Sequence, residues 1–398
     1  MRALVCAAII SGALFAASSQ EFIANAVNNN PDVVSMQKEL EAAGYDKIIA
    51  GKFDNPILNV FVGNISQDQP LSRNIDQSQQ INIGITQNIP LANRLSKKEA
   101  LESAKISAIS EKLNQKKLDI EFALQEQLYN ISSLEAKKRV LEKYISNYNL
   151  LLALLNNYLA SGTGSHIAII KAEIEAQNVK NDIFNIDSEL ASARAKAASI
   201  ANEPNIAIPL IHLEFENINI FKANEQQSPL LKQKQNEVTA SSASYAIERS
   251  YLYPDIGVTV GYALADSKFN NYMFFGVTMP LPIYGRELAA SARALKTQAQ
   301  KQSELQATKN DLQFEQRRLK AKYENVKKSY DLYMKLSKSL GTHGLEIILS
   351  EVKSSKASQE NAVSAINELL GFEIKLIDIK RESMLIKANL KKLYGEEI

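Results

Sequence analysis

Residues 254–265 read Pro-Asp-Ile-Gly-Val-Thr-Val-Gly-Tyr-Ala-Leu-Ala, in which large apolar side chains alternate with small or polar ones. An alternation with period two predicts a β-strand with one apolar face and one small, polar face. The pattern recurs at 271–281 and at 79–89, and less clearly at 56–65. Each run has about the length of a tilted transmembrane strand. The sequence therefore predicts four strands arranged as two hairpins.

The faces of these strands suggest a membrane environment. The small polar face, with Asn82, Thr86 and Thr259, suits a water-filled lumen, so these side chains are predicted to face one. The alternative is a half-buried sheet that covers a soluble core. Four strands cannot close a barrel alone, and an open sheet edge is not tolerated in lipid. Three chains that share one barrel would supply about twelve strands, a workable even number.

Outward from the strands, four landmarks occur twice in the same order. They are Asn30-Pro31 with Ser228-Pro229, Asn55-Pro56-Ile57 with Tyr253-Pro254-Asp255, Ile89-Pro90-Leu91 with Met279-Pro280-Leu281, and the turn 161–165 with the turn 341–344. Recurrence of this kind indicates an internal repeat. Each copy is predicted to run helix, hairpin, long helix, turn, helix. The first copy covers 19–202 and the second 226–398, and residues 203–225 link them.

The helices are predicted to be long. No Gly or Pro interrupts 92–160 or 286–340, and both runs carry apolar residues at coiled-coil spacing. Shorter helices at 21–52 and 166–202 are predicted to stack end to end beside the first long helix. The helix at 166–202 carries two apolar stripes, one of which contains Ile167, Ile170, Ile174 and Phe184. Two stripes require two neighbouring helices, as in a closed α-barrel.

The N-terminus has the features of a secretory signal peptide. Arg2 precedes an apolar stretch too short to span a bilayer, and small residues follow it, so residues 1–18 are predicted to be cleaved. A membrane anchor is the alternative. The single cysteine, Cys6, lies in this segment, which leaves the mature protein without disulfides or thiolate metal sites. The formal net charge of +2 gives no indication of a nucleic-acid partner.

The chain resembles the TolC family of outer-membrane efflux proteins over essentially its whole mature length. Three segments carry the resemblance: Asn29-Asn30-Pro31-Asp32-Val33, Leu252-Tyr253-Pro254-Asp255-Ile256-Gly257-Val258 and Val277-Thr278-Met279-Pro280-Leu281-Pro282-Ile283-Tyr284-Gly285-Arg286. The turn 160–162 looks like the helix-hairpin tip of that family. No single motif is unique to the family, but their order is specific.

The resemblance implies a homotrimer with a β-barrel in outer-membrane lipid and a long α-barrel in the periplasm. It also implies two partners, a periplasmic adaptor protein and an inner-membrane pump of the resistance-nodulation-division type. Pro90 and Pro280 match the strand-to-helix swivels of the family, and 203–224 matches its equatorial band. The chain has no Trp, so a membrane girdle would have to use residues such as Tyr251, Tyr253, Tyr262 and Tyr272.

The two periplasmic turns are the predicted gate. Four glycines allow the backbone to reverse there: Gly162, Gly164, Gly341 and Gly344. Beside them lie His166, His343, Glu346 and Glu351. The histidines are interpreted either as helix-capping or exposed residues, or as a ring of imidazoles that meets metal ions or responds to pH. The two glutamates either face the lumen or do not, because the sequence does not fix the helical phase.

A duct performs no chemistry, so neither an enzymatic activity nor a cofactor is predicted. The expected function is the outer-membrane channel of a tripartite efflux system. Its cargo is predicted to be metal cations, because the short chain resembles the heavy-metal branch of the family. Multidrug efflux and type I protein secretion are the alternatives. A structural periplasmic coiled coil and an adaptor protein are less favoured, since neither requires two alternating hairpins.

Overall fold

The computed structural model describes residues 19–396 apart from 66, 70, 71, 73, 220–223, 341–343 and 355–357. The predicted signal peptide, which contains Cys6, lies outside the described residues. The chain divides into two compact units. The helical unit comprises the residues up to 35, 114–228 and the residues from 312, and the sheet unit comprises 36–113 and 229–311.

The order of the elements follows the internal repeat. The first copy contains α1 Ser19–Asn29, α2 Pro31–Ala50, β1 Ile57–Val62, β2 Ile81–Ile89, α3 Arg94–Ala160 and α4 His166–Ala201. The second contains α5 Pro229–Ser250, β3 Ile256–Leu264, β4 Tyr272–Thr278, α6 Arg286–Leu340, α7 Gly344–Lys353 and α8 Gln359–Tyr394. A short 3-10 turn, Glu225–Gln227, precedes α5. Over the described residues, none of these helices has an apolar stretch long enough to cross a bilayer.

The four strands form one antiparallel sheet in the order β1-β2-β3-β4. The two hairpins of the repeat join through β2 and β3, whose register pairs Thr86 with Thr259. A mostly helical chain with a four-stranded antiparallel sheet confirms the predicted fold class. The strands are shorter than the predicted segments by one to three residues at most ends. Pro56, Pro254 and Pro280 lie outside the ladder, which accounts for three of these ends.

A proline divides the first predicted helix, 21–52, into α1 and α2. The side-chain oxygen of Asn30 accepts the Asp32 N–H at 3.0 Å, so Asn30 caps α2. Pro31 is the first residue of α2, where its missing N–H has no helical partner to lose. The Asn30 amide also donates to the Ile200 carbonyl at 3.2 Å, near the end of α4.

The segment predicted as one helix after residue 344 is also two helices, α7 and α8. The carbonyls of Val352 and Lys353 at the end of α7 both accept the Tyr158 hydroxyl, at 3.0 and 2.9 Å. Ser358 has extended backbone angles immediately before α8. The hydroxyl therefore satisfies helix-end carbonyls that a continuous helix would have used internally.

The core of the helical unit lies where α3 packs against α4 on one flank and α8 on another. The stripe on α3 that spacing predicted is buried there, including Leu141, Tyr148 and Leu155. Its polar member, Lys138, forms an ion pair with Asp187 of α4 at 2.5 Å. The hydrogen bond to Asp187 raises the pKa of Lys138.

The second stripe of α4 is uncovered within the single chain. Ile167, Ile170, Ile174 and Phe184 expose between 54% and 70% of their surfaces. The opposite side of α4, with Ala168, Ala172 and Val179, is buried in the core. One apolar side of this helix thus has no partner within the described chain.

Residues 203–219 of the predicted linker cross the helical unit without forming a helix, and side-chain hydroxyls hold their backbone. Ser132 accepts the Ile211 N–H at 2.8 Å, Ser383 accepts that of Glu216 at 3.1 Å, and Tyr323 accepts that of Ile218 at 2.9 Å. These hydroxyls lie on α3, α8 and α6, so the segment is fastened to three helices.

Candidate functional site

The polar face of the sheet contains the three predicted lumen residues. Thr86 and Thr259 are direct cross-strand partners, with their hydroxyl oxygens 2.8 Å apart. The Asn59 amide of β1 donates to the Thr86 hydroxyl at 2.7 Å. Asn82 has the same parity on β2 as Thr86, so it lies on this face too. The three residues therefore share one face of the sheet, on which Thr86 and Thr259 are joined by a hydrogen bond.

Aromatic rings also lie on this polar face, which the alternation alone did not suggest. Phe274 of β4 lies over Gly261, where an added Cβ would be 2.2 Å from the ring. Phe61 and Tyr272 line the same shallow depression as Asn82 and Thr86. Glycine on β3 thus leaves room for a flat ring that covers part of the polar face of the sheet.

The opposite face is apolar and uncovered. Eleven of its large side chains are exposed, by fractions that range from 38% at Ile89 to 76% at Phe275. Its exposed members are Leu58, Val60, Val62, Ile83, Ile85, Ile89, Val260, Tyr262, Met273, Phe275 and Val277. A contiguous apolar surface of this size indicates contact with lipid or with another protein. Because no described part of the chain buries these side chains, the alternative of a half-buried sheet over a soluble core is not supported.

The sheet separates the tyrosines that were predicted to form a membrane girdle. Tyr262 lies on the apolar face, whereas Tyr272 has the opposite parity and lies on the polar face. Tyr251 stacks under the Arg94 guanidinium, with 4.0 Å between that group and the ring centroid. Only Tyr262, and Tyr253 at 63% exposed, therefore remain available to the girdle.

At the first strand-to-helix junction, Arg94 binds the turn that leads into β3. It is only 1% exposed. Its guanidinium donates to the Ser250 hydroxyl and carbonyl, each at 3.0 Å, to the Tyr253 carbonyl at 2.7 Å and to the Asp255 carboxylate. Pro90, one of the predicted swivels, lies four residues earlier, between β2 and α3. Sequence reasoning missed Arg94, because its partners lie far away in the chain.

The second predicted swivel, Pro280, lies between β4 and α6. It follows Met279 and begins a segment without regular structure that ends at Gly285. Pro90 directly follows β2 and Pro280 lies two residues after β4, so neither missing N–H removes a strand pairing.

The first hairpin turn is built on two of the predicted glycines. Gly162 has φ +80° and donates its N–H to the Leu159 carbonyl at 3.0 Å, while Thr163 donates to that of Tyr158 at 3.0 Å. This pair of bonds is the Schellman end of a helix. A Cβ on Gly164 would lie 2.3 Å from the Leu159 backbone nitrogen, so only glycine fits there.

Three residues that sequence reasoning missed connect this turn to the second repeat. Gln359 accepts the Ser165 N–H at 3.0 Å and donates to the Thr163 carbonyl at 3.4 Å. Glu360 accepts the Ser165 hydroxyl at 3.3 Å. Tyr158, as described above, binds the end of α7. The first hairpin turn is therefore linked, within one chain, to the end of α7 and the beginning of α8.

The described gate candidates with titratable side chains lie on two helices, α4 and α7. His166 is the exposed first residue of α4, and Glu346 and Glu351 are exposed on α7. Gly344 is the first residue of α7, while Gly341 and His343 lie outside the described residues. Over the part of the chain that the structure describes, no cluster of histidine and acidic residues suited to a metal ion is found.

Comparison with known proteins agrees with this geometry. Residues 22–203 match the family model described as outer membrane efflux protein. The chain is 26% identical over 161 residues to the cobalt-zinc-cadmium resistance protein CzcC of Cupriavidus metallidurans. That match covers 39% of this chain and only 38% of the relative's length.

Solved structures share the fold over nearly the whole chain. The structure of CusC is 16% identical and gives a TM-score of 0.76, with 94% of this chain and 91% of that chain covered. The outer membrane protein VceC of Vibrio cholerae is 14% identical and gives 0.78, with 95% and 96% covered. The open-state outer membrane channel MtrE of Neisseria gonorrhoeae is 15% identical and gives 0.68, with 95% and 89% covered.

Proposed function

Residues 22–203 match the outer membrane efflux protein family, and we propose that the chain belongs to it and is the outer-membrane duct of a tripartite efflux system. It resides in the outer membrane and extends into the periplasm of a Gram-negative cell. The observation that carries this proposal is the four-stranded sheet, one face of which is apolar and uncovered while the other is polar and hydrogen-bonded. Such a sheet suits lipid on one side and water on the other.

The duct is proposed to be a homotrimer. Strands β1 and β4 are the two edges of the sheet and lack a second partner in the described chain. Unpaired edges cannot remain in lipid, so β4 of one copy would pair with β1 of the next. Three copies would close a barrel, and the long helices would close an α-barrel in the same way. The exposed stripe of α4 supplies an apolar surface for that contact.

The predicted sites have corresponding roles in this duct. Asn82, Thr86 and Thr259 would line the lumen, and Pro90 and Pro280 would be the points where strands turn into helices. The turn 161–165 with the adjoining His166, and α7 with Glu346 and Glu351, would form the periplasmic entrance. Residues 203–225 would be the equatorial band, and 1–18 the cleaved signal peptide.

The proposed partners are a periplasmic adaptor protein and an inner-membrane pump of the resistance-nodulation-division type. The family and the fold are those of channel proteins, and we propose that the chain has no enzymatic activity and needs no cofactor. Metal cations are the proposed cargo. The similarity to a cobalt-zinc-cadmium resistance protein supports this cargo over organic compounds or secreted proteins.

A deletion of the gene tests both the function and the cargo. Growth of the deletion strain would be compared with that of the parent in copper, zinc, cobalt and cadmium salts, and in bile salts, dyes and macrolides. We expect the metal salts alone to inhibit the deletion strain more strongly. Complementation with the intact gene is the control and should restore the growth of the parent.

The remaining outcomes are also informative. Sensitisation to organic compounds alone would replace the metal cargo with multidrug efflux and would leave His166 and His343 without a role in metal export. If the deletion strain grew like its parent in every compound while the purified protein formed no channels in lipid bilayers, the proposal of an efflux duct would fail.

A further inference from the structure

Arg286 is the counterpart of Arg94 in the second repeat. Asn93 and Gly285 have φ of 56° and 70°, and each is followed by an arginine that begins a long helix. The carbonyls of Asn93 and Gly285 each accept the amide four residues further on, at 3.2 and 3.1 Å. The backbone therefore enters α3 and α6 in the same way and starts both arginines from the same position.

The surroundings of the two arginines differ. Arg94 is buried and makes four hydrogen bonds, as described above. Arg286 is exposed, and it has neither a hydrogen bond nor an ion pair with any residue that the structure describes. The arginine that begins the long helix is thus bonded within the chain at the first junction and exposed at the second.

The order of the strands indicates where a partner for Arg286 would come from. Arg94 follows β2 and binds the turn that precedes β3, the strand paired with β2. Arg286 follows β4, which is an edge of the sheet. If a further strand pairs with β4 as β3 pairs with β2, that strand would be β1 of another copy, because β1 is the other edge of the sheet. The turn that precedes β1 is 51–56.

The turn 51–56 offers the same chemistry as the turn that Arg94 binds. When the two turns are aligned at Pro56 and Pro254, Phe53 corresponds to Tyr251, whose ring lies under the Arg94 guanidinium. Asp54 follows Phe53 and supplies a carboxylate, as Asp255 does for Arg94. Phe53 is 56% exposed, and the Asp54 carboxylate has no partner among the described residues.

We propose that Arg286 of one subunit binds the turn 51–56 of a second copy, with its guanidinium over Phe53 and paired with Asp54. A guanidinium can stack on a ring and donate to a carboxylate at the same time, which a lysine cannot do as well. The contact would hold each subunit against the next at the junction between the shared sheet and the helices. This inference rests on the proposed homotrimer.

Thiol cross-linking tests the contact in the full-length protein, extracted in detergent. The variant Arg286→Cys/Asp54→Cys would be treated with a short bifunctional thiol reagent and run on a denaturing gel. We expect covalent dimers and trimers. The variants Arg286→Cys and Asp54→Cys alone are controls for any other thiol. A matched control, Arg293→Cys/Asp54→Cys, moves the first thiol two helical turns away, by about 10 Å, and should give no covalent oligomer.

A charge exchange provides a second readout that does not need cysteine. Arg286→Glu should lower the temperature at which the extracted trimer dissociates, and Arg286→Glu/Asp54→Arg should recover most of that loss. If trimers assemble but neither the cross-link nor the recovery is seen, the Arg286 contact is wrong while the duct stands. If the wild-type protein is monomeric in detergent and in native membranes, the homotrimer itself is wrong.

Discussion

At the scale of single residues, Arg94 has the most demanding environment in the sheet unit. A guanidinium that is 1% exposed has lost nearly all its contact with water. The buried guanidinium is stabilised because two carbonyls, a hydroxyl, a carboxylate and an aromatic face replace its contact with water. The planar fork of arginine matches this set, and no other side chain presents as many donors in one plane.

Replacement of Arg94 should therefore destabilise the protein. Arg94→Ala leaves buried carbonyls without donors, and we expect it to reduce the free energy of unfolding by about 3 kcal/mol. Arg94→Lys keeps the charge but loses the fork, so it should recover only part of the loss. Thermal unfolding in detergent, followed by circular dichroism of the helices, measures both. An Arg94→Ala protein as stable as wild type would contradict the role given to these bonds.

At the scale of elements, the two faces of the sheet should respond in opposite ways to the same substitution. Val260 on the apolar face and Thr259 on the polar face are neighbours at the middle of β3. An arginine on a lipid-facing position near the middle of a membrane costs about 2–4 kcal/mol, whereas a lumen-facing one alters the pore. We expect Val260→Arg to reduce the amount of assembled protein in the outer membrane.

Thr259→Arg is the matched control for that prediction. It should leave the amount of assembled protein near that of wild type and change the ion selectivity measured in planar bilayers. Equal losses of assembly from both variants would mean that the faces are not divided between lipid and water.

The sequence predicted these elements well where periodicity governs them. Alternation located all four strands, and coiled-coil spacing located the buried stripe of α3, because both patterns follow from which side of an element is apolar. It predicted helix breaks less well. The local spacing of apolar residues does not predict the break between α7 and α8. The break depends on the Tyr158 hydroxyl, which belongs to the other repeat and donates to the carbonyls at the end of α7. Arg94 and Gln359 were missed for the same reason.

At the scale of the whole molecule, the surfaces that one chain leaves uncovered indicate what must be added to it. The sheet has two free edges, and α4 has an apolar stripe opposite its buried side. An unpaired edge is a template for pairing with another chain, and an exposed apolar stripe favours contact with another protein or with lipid. Further copies of the same chain would cover both without requiring any other protein.

The stripe of α4 provides a test of assembly that is independent of the sheet. Ile170 is 55% exposed in the single chain, and in a homotrimer it would be buried against the next subunit. Ile170→Glu would then bury an unpaired carboxylate, so we expect the extracted protein to shift from trimer to monomer. Ile170→Val keeps an apolar side chain and should remain trimeric. Light scattering of the detergent-extracted variants gives the mass of each complex, and a trimeric Ile170→Glu protein would show that this stripe is not a subunit contact.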